Sequence, residues 1–314
     1  MNEILIFLIG GLILFIYSIG ELSRVMEDLF SKQAVNIIER FTKRLFSAIL
    51  IGTITTILLG SSSAVIILAI VFINAKSLTF RQAMGIIMGA NIGTTFSSQI
   101  IALDVAKYSI IPLAAGLILQ FITGHKKYNH YGQVLFYFGL LFFGLHMMES
   151  SVLPLQDSKV FKQWITSAEQ NIIKGTLIGG FITLIIQSSS ATVGIAIVLG
   201  KQNLLSIAGG IAIMLGAELG TCSDTLIATI RGSRQALKAG LFHLLFNTTT
   251  ISVGLVLFNP FLDLIKNISA GQGIDNHIAN AHMFFNILGV VFFIPFVGIT
   301  ERFLNRVLPD NRAF

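Results

Sequence analysis

Gly60-Ser61-Ser62-Ser63-Ala64 stands in the middle of an apolar segment, and Gln187-Ser188-Ser189-Ser190-Ala191 repeats it 127 residues later. The same offset relates Gly89-Ala90-Asn91-Ile92-Gly93-Thr94 to Gly216-Ala217-Glu218-Leu219-Gly220-Thr221 without a gap. An uninterrupted membrane helix has no use for three consecutive hydroxyls. A duplicated hydrophobic unit with a polar centre is the sequence pattern of a secondary transporter.

The amino-acid composition is that of a membrane protein. Of the 314 residues, 54% are hydrophobic and 11% are charged, whereas a soluble domain carries about 25% charged residues. The net charge of +6 comes from basic residues in loops and at the C-terminus, where the positive-inside rule expects them. No basic patch is interleaved with aromatic residues, so the sequence gives no support for nucleic-acid binding.

Cys222 is the only cysteine, so no intrachain disulfide forms and no metal site is indicated. No signal peptide is recognised, and residues 4–20 are predicted to be the first span. The chain is predicted to divide into five parts. These are 1–44 (first span and an amphipathic connection on the membrane surface), 45–124 (first repeat), 125–171 (linking span and central loop), 172–258 (second repeat) and 259–314 (last span and basic tail).

Each serine-broken segment is either one interrupted span or a re-entrant hairpin with the serines at its tip. With the N-terminus outside and the C-terminus in the cytoplasm, both topologies place the same excess of basic residues inside, so the charge rule does not choose. Hairpins make the two repeats inverted, and single spans make them parallel. Irregular backbone at membrane depth must be buried in protein or line a cavity, which favours the hairpins.

The serine triplets are suited to binding ions. A half-helix that begins after each triplet directs free N–H groups and a positive partial charge at an oxyanion. The carbonyls at the end of the preceding half-helix, with serine oxygens, suit Na⁺. No lysine or arginine lies in the middle of a predicted span, so co-bound cations are expected to help hold an anion. The alternative is that the serines bond to their own helices and only assist close packing.

The glycine motifs carry the second set of polar residues. Asn91, Thr94, Glu218 and Thr221 are expected to form part of a site, because polar groups inside a membrane are usually functional. The alternative is a packing seam of glycines spaced four apart. Glu218 needs a partner at membrane depth, and Na⁺ or H⁺ would serve.

Three further polar residues are candidates for accessory roles: Asp224, His243 and Asn247. Asp224 could instead lie near the membrane interface and pair with Arg231 or Arg234. His243 and Asn247 share a helix face, as do His282 and Asn286, and hydrogen bonds between helices are the expected role of both pairs.

Two other functional classes fit less well. Neither triplet lies in a Gly-x-Ser-x-Gly elbow, and a duplicated nucleophile has no catalytic purpose, so an intramembrane serine protease is not expected and the protein is predicted not to be an enzyme. A passive channel stays open as an alternative, since selectivity filters also expose carbonyls and hydroxyls.

The duplicated serine motif, together with Gly89–Thr94, resembles the type II sodium–phosphate cotransporter family over residues 45–298. The resemblance implies an all-α polytopic membrane protein with two inverted repeats. Each repeat would hold a serine-tipped re-entrant hairpin and a broken helix, with about six full spans in addition to the two hairpins. It further implies Na⁺-coupled transport of inorganic phosphate by alternating access in the plasma membrane, with Na⁺ as the co-transported ion and no organic cofactor. A homodimer is left open.

Site residues follow from the same resemblance, with Glu218 and Thr221 added from the second glycine motif. Those expected to bind phosphate are Ser62, Ser63, Gln187, Ser189 and Ser190. Those expected to bind sodium are Ser61, Asn91, Thr94, Thr95, Ser188, Glu218 and Thr221.

Two residues depart from the family pattern. Gly60 replaces a glutamine, and Glu218 replaces an asparagine, which could change the ion stoichiometry, add proton coupling or shift the substrate. Another small anion and phosphate export are therefore the alternative functions. Many bacterial relatives also carry a soluble regulatory domain after the last span. This chain is expected to lack it, so such control would need a separate partner.

Overall fold

The computed structural model describes residues 2–42, 44–74, 77–103, 106–122, 126–152, 166, 171–229 and 233–309. In these residues the regular structure is helical, without strands. The predicted central loop and the end of the basic tail lie largely outside them. The α-helices are α1 (Asn2–Phe41), α2 (Leu45–Leu59), α3 (Ser62–Asn74), α4 (Phe80–Ile101), α5 (Ile110–Ile122), α6 (Lys126–Val152), α7 (Ile172–Ile186), α8 (Ser189–Lys201), α9 (Ile207–Gly220), α10 (Cys222–Thr229), α11 (Arg234–Val256), α12 (Phe258–Ile268), α13 (Ile274–Phe293) and α14 (Val297–Val307).

Helix α1 is longer than the predicted first span. It continues without a break through the charged residues 21–41, where the sequence suggested a separate connection on the membrane surface. This segment contains no proline and many strong helix formers, so nothing in it ends the helix. Forty residues correspond to ~60 Å, about twice the hydrocarbon thickness of a bilayer.

The α2–α3 segment is a re-entrant hairpin. Gly89 of α4 lies against the carbonyl oxygen of Ile49, and Gly93 lies against Thr56, about two turns further along α2. Residue numbers rise together in both helices, so α2 and α4 are parallel. A single span through α2 and α3 would have made α4 antiparallel to α2. The chain therefore turns back between them, which decides the question that the charge distribution left open.

The second repeat is built in the same way. Gly216 of α9 lies against the carbonyl oxygen of Thr176, and Gly220 lies against Thr183, so α7 and α9 are also parallel. In both repeats the glycine motif is the seam on which the first hairpin helix packs. The packing interpretation of these glycines is therefore correct.

The two repeats are inverted. Helices α1 and α6 precede the two hairpins, and they are antiparallel because Gly11 packs against Gly144 while Tyr17 contacts Tyr137. The hairpins therefore enter from opposite sides of the membrane. We call α2 with α3 hairpin 1 and α7 with α8 hairpin 2.

The long apolar helices are consistent with the predicted polytopic membrane protein, whereas one of the two predicted broken helices is not found. Five helical segments of the described residues are long and apolar enough to cross a membrane. Helix α4 is unbroken over Phe80–Ile101, so the broken helix expected in the first repeat is wrong. In the second repeat only Thr221 separates α9 from α10.

The helices that meet the hairpins form the protein interior. Every residue of α9 from Gly209 to Glu218 is buried, and α7, α8, α11 and α13 pack around it. The outward surface is apolar, with side chains such as Phe121 and Val256 each 83% exposed. Such a surface is suited to lipid.

Candidate substrate-binding site

Each hairpin turns at one residue in the left-handed conformation. These residues are Gly60 (φ 66°) and Gln187 (φ 56°), and each donates its N–H to a carbonyl four residues earlier. The first hairpin helix therefore ends in the manner of an ordinary left-handed C-cap. The backbone then enters the serine triplet without a longer loop.

The first serine of each triplet caps the helix that follows. The hydroxyl oxygens of Ser61 and Ser188 each accept the N–H of the residue three further on, at 3.2 Å in both hairpins. A cap satisfies one of the four orphan N–H groups of a helix N-terminus and leaves the others available. The second and third serines of each triplet carry two of these remaining groups.

The two hairpin tips line one cavity of about 460 Å³. Both complete serine triplets contribute to it, as do Gly60 and Gln187. We call it the tip cavity. Its other lining residues are Ile16, Ile19, Gly20, Ser23, Arg24, Glu27, Ile186 and Thr221.

All five residues predicted to bind phosphate line the tip cavity, and so do three predicted to bind sodium: Ser61, Ser188 and Thr221. Helices α3 and α8 begin at the cavity and present the positive ends of their dipoles, while α2 and α7 end there and present the negative ends. The cavity therefore offers both donors for an anion and oxygens for a cation.

Helix α1 contributes residues that the sequence interpretation missed. The Ser23 hydroxyl donates to the Gly60 carbonyl oxygen at 3.1 Å, which joins α1 to the tip of hairpin 1. Arg24 and Glu27 line the cavity, and the Arg24 guanidinium lies 3.7 Å from the Glu21 carboxylate. The Arg24 side chain is 73% exposed. Residues 20, 23, 24 and 27 lie on one helix face, and this spacing could have revealed the role of α1.

Three predicted sodium-binding residues lie outside the residues that line the tip cavity. The Thr94 hydroxyl donates to the Ala90 carbonyl at 2.9 Å, and Thr95 donates to the Ile92 carbonyl at 2.7 Å. The Asn91 amide donates to the Asn247 side chain at 2.6 Å. The two threonine hydroxyls bond to carbonyl oxygens of their own helix, and α4 continues unbroken through these residues.

Glu218 also lies away from the tip cavity, where it is 4% exposed. Its Oε1 atom is 2.6 Å from His282 Nε2 and accepts a hydrogen bond from the Asn286 amide at 3.1 Å. His282 is fully buried, and its Nδ1 atom lies 2.7 Å from the Ser98 hydroxyl. The partners that the structure shows for this carboxylate are protein groups, and its role as a sodium ligand stays a prediction.

His243 and Asn247 join helices, as the sequence suggested. The ring of His243 lies 3.0 Å from the Thr225 hydroxyl, and the Asn247 amide donates to the Glu218 backbone carbonyl at 2.7 Å. Asn247 thereby links α4, α9 and α11. The side chain of Asp224 and the whole of Arg231 lie outside the described residues.

Both repeats match one family model, that of the Na⁺/Pi-cotransporter, over residues 14–150 and 152–293. The chain belongs to the Na⁺/Pi-cotransporter family. The matched ranges contain both hairpins and every residue that lines the tip cavity.

Within and around this family, three curated relatives are informative. The uncharacterized protein YqeW of Bacillus subtilis is 25% identical over 308 residues, covering 97% of this chain and 99% of that protein. YjbB of Escherichia coli K12, provisionally named an inorganic phosphate export protein, is 23% identical over 284 residues, covering 90% of this chain and 52% of that protein. Human sodium-dependent phosphate transport protein 2B is 34% identical over 148 residues, covering 44% and 21%.

This chain therefore spans about half the length of the exporter relatives that it matches. No solved structure matches it at a significant level.

For a Na⁺/Pi-cotransporter family member, the two departures can now be located. Gly60 occupies the same left-handed turn position as Gln187, where glycine adopts the conformation without steric cost. Glu218 is the repeat counterpart of Asn91, and both side chains are hydrogen-bonded to neighbouring helices. The first departure removes an amide from the tip cavity, and the second places a carboxylate behind it.

Proposed function

We propose that this protein carries inorganic phosphate across the plasma membrane together with Na⁺, by alternating access. One observation carries the proposal: two hairpins that enter from opposite sides bring both serine triplets to the same cavity. In secondary transporters, inverted repeats with discontinuous helices place the substrate site between the repeats. Membership of the Na⁺/Pi-cotransporter family supports phosphate as the anion.

Phosphate would be held mainly by neutral groups. First-turn N–H groups and hydroxyls of Ser62, Ser63, Ser189 and Ser190 face an anion with the positive ends of two helix dipoles. The Gln187 amide adds a donor that hairpin 1 lacks. A dianion bound chiefly by dipoles needs positive charge nearby, which favours co-bound cations.

Sodium would bind beside the phosphate at the helix ends. Ser61, Ser188 and the terminal carbonyls of α2 and α7 supply oxygen ligands of the kind that coordinate Na⁺ in discontinuous transporter helices. Asn91, Thr94 and Thr95 remain predictions from the family resemblance. Binding of phosphate and Na⁺ would stabilise each other because their charges are opposite.

The remaining features of the proposal concern orientation and assembly. We propose that the N-terminus lies outside and the C-terminus in the cytoplasm, following the positive-inside rule. A homodimer is compatible with the broad apolar outer surface. Export is the second candidate for the direction of transport, because several relatives carry an export name. A carrier runs in the direction that its gradients dictate.

Uptake of radiolabelled phosphate into proteoliposomes tests the proposal. Purified protein is reconstituted, and uptake is measured with an inward Na⁺ gradient and with K⁺ or choline in its place. Uptake that requires Na⁺ supports the coupled carrier. Absence of phosphate flux and of phosphate binding, from protein shown to be folded, would contradict it and favour another anion. Competition by sulfate and other small anions then identifies the substrate.

Serine variants test the location of the site. Ser189→Ala and Ser62→Ala are expected to lose most phosphate uptake while remaining folded, because each removes a hydroxyl from the tip cavity. Ser252→Ala is the matched control, since the Ser252 hydroxyl only bonds to the Thr248 carbonyl of its own helix. Normal uptake in both cavity variants would show that phosphate binds elsewhere.

A further inference from the structure

One carboxylate lines the cavity in which phosphate is proposed to bind. Among the described residues of the tip cavity wall, Glu27 is the only acid. It follows Ser23 by four residues on the same face of α1, and the Ser23 hydroxyl donates to the Gly60 carbonyl oxygen at 3.1 Å. Four residues correspond to ~6 Å along a helix axis. Glu27 therefore lies about one turn from a direct contact between α1 and the tip of hairpin 1.

The Glu27 carboxylate has no protein partner among the described residues. The Arg24 guanidinium, on the same helix face, lies 3.7 Å from the Glu21 carboxylate on the preceding turn. No hydrogen bond or ion pair of the described chain involves the Glu27 side chain, which is only partly exposed. A partly buried carboxylate is stabilised by a hydrogen-bond donor, and the open cavity is the place from which a ligand supplies one.

The other polar groups of the cavity wall bind oxyanions without distinguishing between them. The serine hydroxyls, the first-turn N–H groups, the Gln187 amide and the Arg24 guanidinium all donate hydrogen bonds to any anionic oxygen. Phosphate and sulfate are tetrahedral anions of similar size that offer such oxygens equally well. Near neutral pH, however, phosphate still carries a proton, as HPO₄²⁻ or H₂PO₄⁻, whereas sulfate carries none.

A carboxylate distinguishes the two anions by this proton. It only accepts hydrogen bonds, so it bonds to the P–OH group of phosphate and repels an anion that has no proton to donate. A site built for a substrate hydroxyl discriminates strongly against the analogue that lacks it, because the polar group of the site is then left unpaired. Specificity of this kind comes from repulsion of the wrong ligand as well as from attraction of the right one.

We propose that Glu27 makes the tip cavity selective for phosphate over unprotonated oxyanions, by accepting a hydrogen bond from the phosphate P–OH group. This inference rests on the proposed function and deepens it. The unprotonated oxygens of phosphate face the donors of the two hairpin tips, and the P–OH group faces α1. The hairpins thus supply the affinity for an oxyanion, and α1 supplies the choice among oxyanions.

Competition between anions tests the inference. Proteoliposomes loaded with phosphate exchange it for external radiolabelled phosphate, with Na⁺ equal on both sides, in the presence of sulfate, arsenate or monofluorophosphate. Arsenate keeps a protonated oxygen, whereas monofluorophosphate has the shape and charge of HPO₄²⁻ with fluorine in place of the hydroxyl. Arsenate is expected to inhibit exchange by the wild-type protein, and the other two only weakly. Equal inhibition by all three would overturn the inference without the need for any variant.

Glu27→Gln should change the selectivity in one direction. Glutamine keeps an oxygen that accepts from the P–OH group, and it adds an uncharged NH₂ donor, so sulfate and monofluorophosphate should gain relative to phosphate. The ratio of their half-inhibitory concentrations to that of unlabelled phosphate should fall about ten- to hundredfold, the range of a hydrogen bond to a charged group.

Asp28→Asn is the matched control, because Asp28 is the neighbouring exposed acid of α1 and does not line the cavity. It removes the same charge from the same helix turn, so it separates a direct contact from a general change in charge. Its ratios should equal those of the wild type.

The outcomes are distinct. If wild-type protein neither binds nor exchanges phosphate, the proposed function fails and this inference fails with it. If wild-type protein exchanges phosphate but Glu27→Gln keeps the wild-type ratios, or Asp28→Asn shifts them equally, the inference is overturned and the proposed function stands. A change in the Na⁺ dependence of Glu27→Gln, with its anion ratios unchanged, would assign Glu27 to the cation and would also overturn the inference.

Discussion

Gly60 and Gln187 adopt the same backbone conformation with different side chains. A non-glycine residue in the left-handed region is destabilised by ~1 kcal/mol or more, and Gln187 adopts this conformation. Its amide stands at the mouth of hairpin 2, where it can donate to a bound anion. Gly60 avoids the cost and leaves room beside Ser23. The two tips are therefore equivalent in shape and unequal in chemistry.

Among the described residues, Arg24 is the one arginine or lysine that lines the tip cavity. Arg24→Gln should raise the phosphate concentration for half-maximal uptake about three- to tenfold, since an exposed charge contact is worth ~1 kcal/mol. The maximal rate should change little, because a side chain that only strengthens binding of the substrate changes its apparent affinity and not the later steps. Initial rates of uptake over a range of phosphate concentrations measure both quantities.

Lys32→Gln is the control for Arg24, because Lys32 is an exposed cation of the same helix and does not line the cavity. Arg24→Lys should restore part of the affinity. Equal concentration dependence in Arg24→Gln and Lys32→Gln would remove Arg24 from the site.

The hairpins are held at membrane depth by their first helices. Helices α2 and α7 have 15 residues each, or ~22 Å, which is too short to cross ~30 Å of hydrocarbon. Their backbones rest directly on the glycines of α4 and α9. Close backbone contact gives extensive van der Waals packing without large side chains, as in other helix pairs within membranes.

Gly89→Ala should destabilise the folded protein by about 1–3 kcal/mol through overpacking, because its Cβ would overlap the Ile49 carbonyl oxygen. Gly298→Ala is the matched control, since an added Cβ there meets nothing within 4 Å. That change should be neutral or stabilising by about 0.5–1 kcal/mol, as expected for alanine in a helix. Melting temperatures in detergent measure the difference, and equal values would contradict the seam.

The whole molecule is organised by the inversion of its repeats. Because the hairpins enter from opposite sides, each can close one entrance to the same cavity, which is what alternating access requires. The buried side chain of His282 also hydrogen-bonds to Ser98 on α4 and to Glu218 on α9, and these contacts connect the two repeats. This arrangement depends on the antiparallel contact of α1 with α6.

Labelling of single cysteines tests the inversion. In a Cys222→Ala background, cysteines are placed at Ser77 and Asn203, exposed residues that follow hairpins 1 and 2. A membrane-impermeant thiol reagent applied to sealed vesicles should label one from outside and the other only after the membrane is opened. Labelling of both from the same side would show parallel repeats and would overturn the topology. Oriented vesicles would also identify which side holds the N-terminus.

The sequence by itself determined the membrane class, the duplication and the positions of the two serine triplets. These features are encoded locally, in hydropathy, in a fixed repeat offset and in polar residues where an apolar helix has no use for them. The hairpin tips could be placed for the same reason, because Gly60, Gln187 and the serines supply their own turn and caps. The serine roles in ion binding remain predictions.

Only the tertiary structure decided the rest. Charge counts were equal for hairpins and spans, and the direction of packing between α2 and α4 settled the choice. Arg24 lines the tip cavity only because α1 continues past Gly20 and reaches the hairpin tips. Glu218 contacts His282, 64 residues away in the sequence. The local sequence around Glu218 does not indicate which distant helix supplies its hydrogen-bond partner. Contacts between remote elements are set by how helices pack together, and a single sequence states them only indirectly.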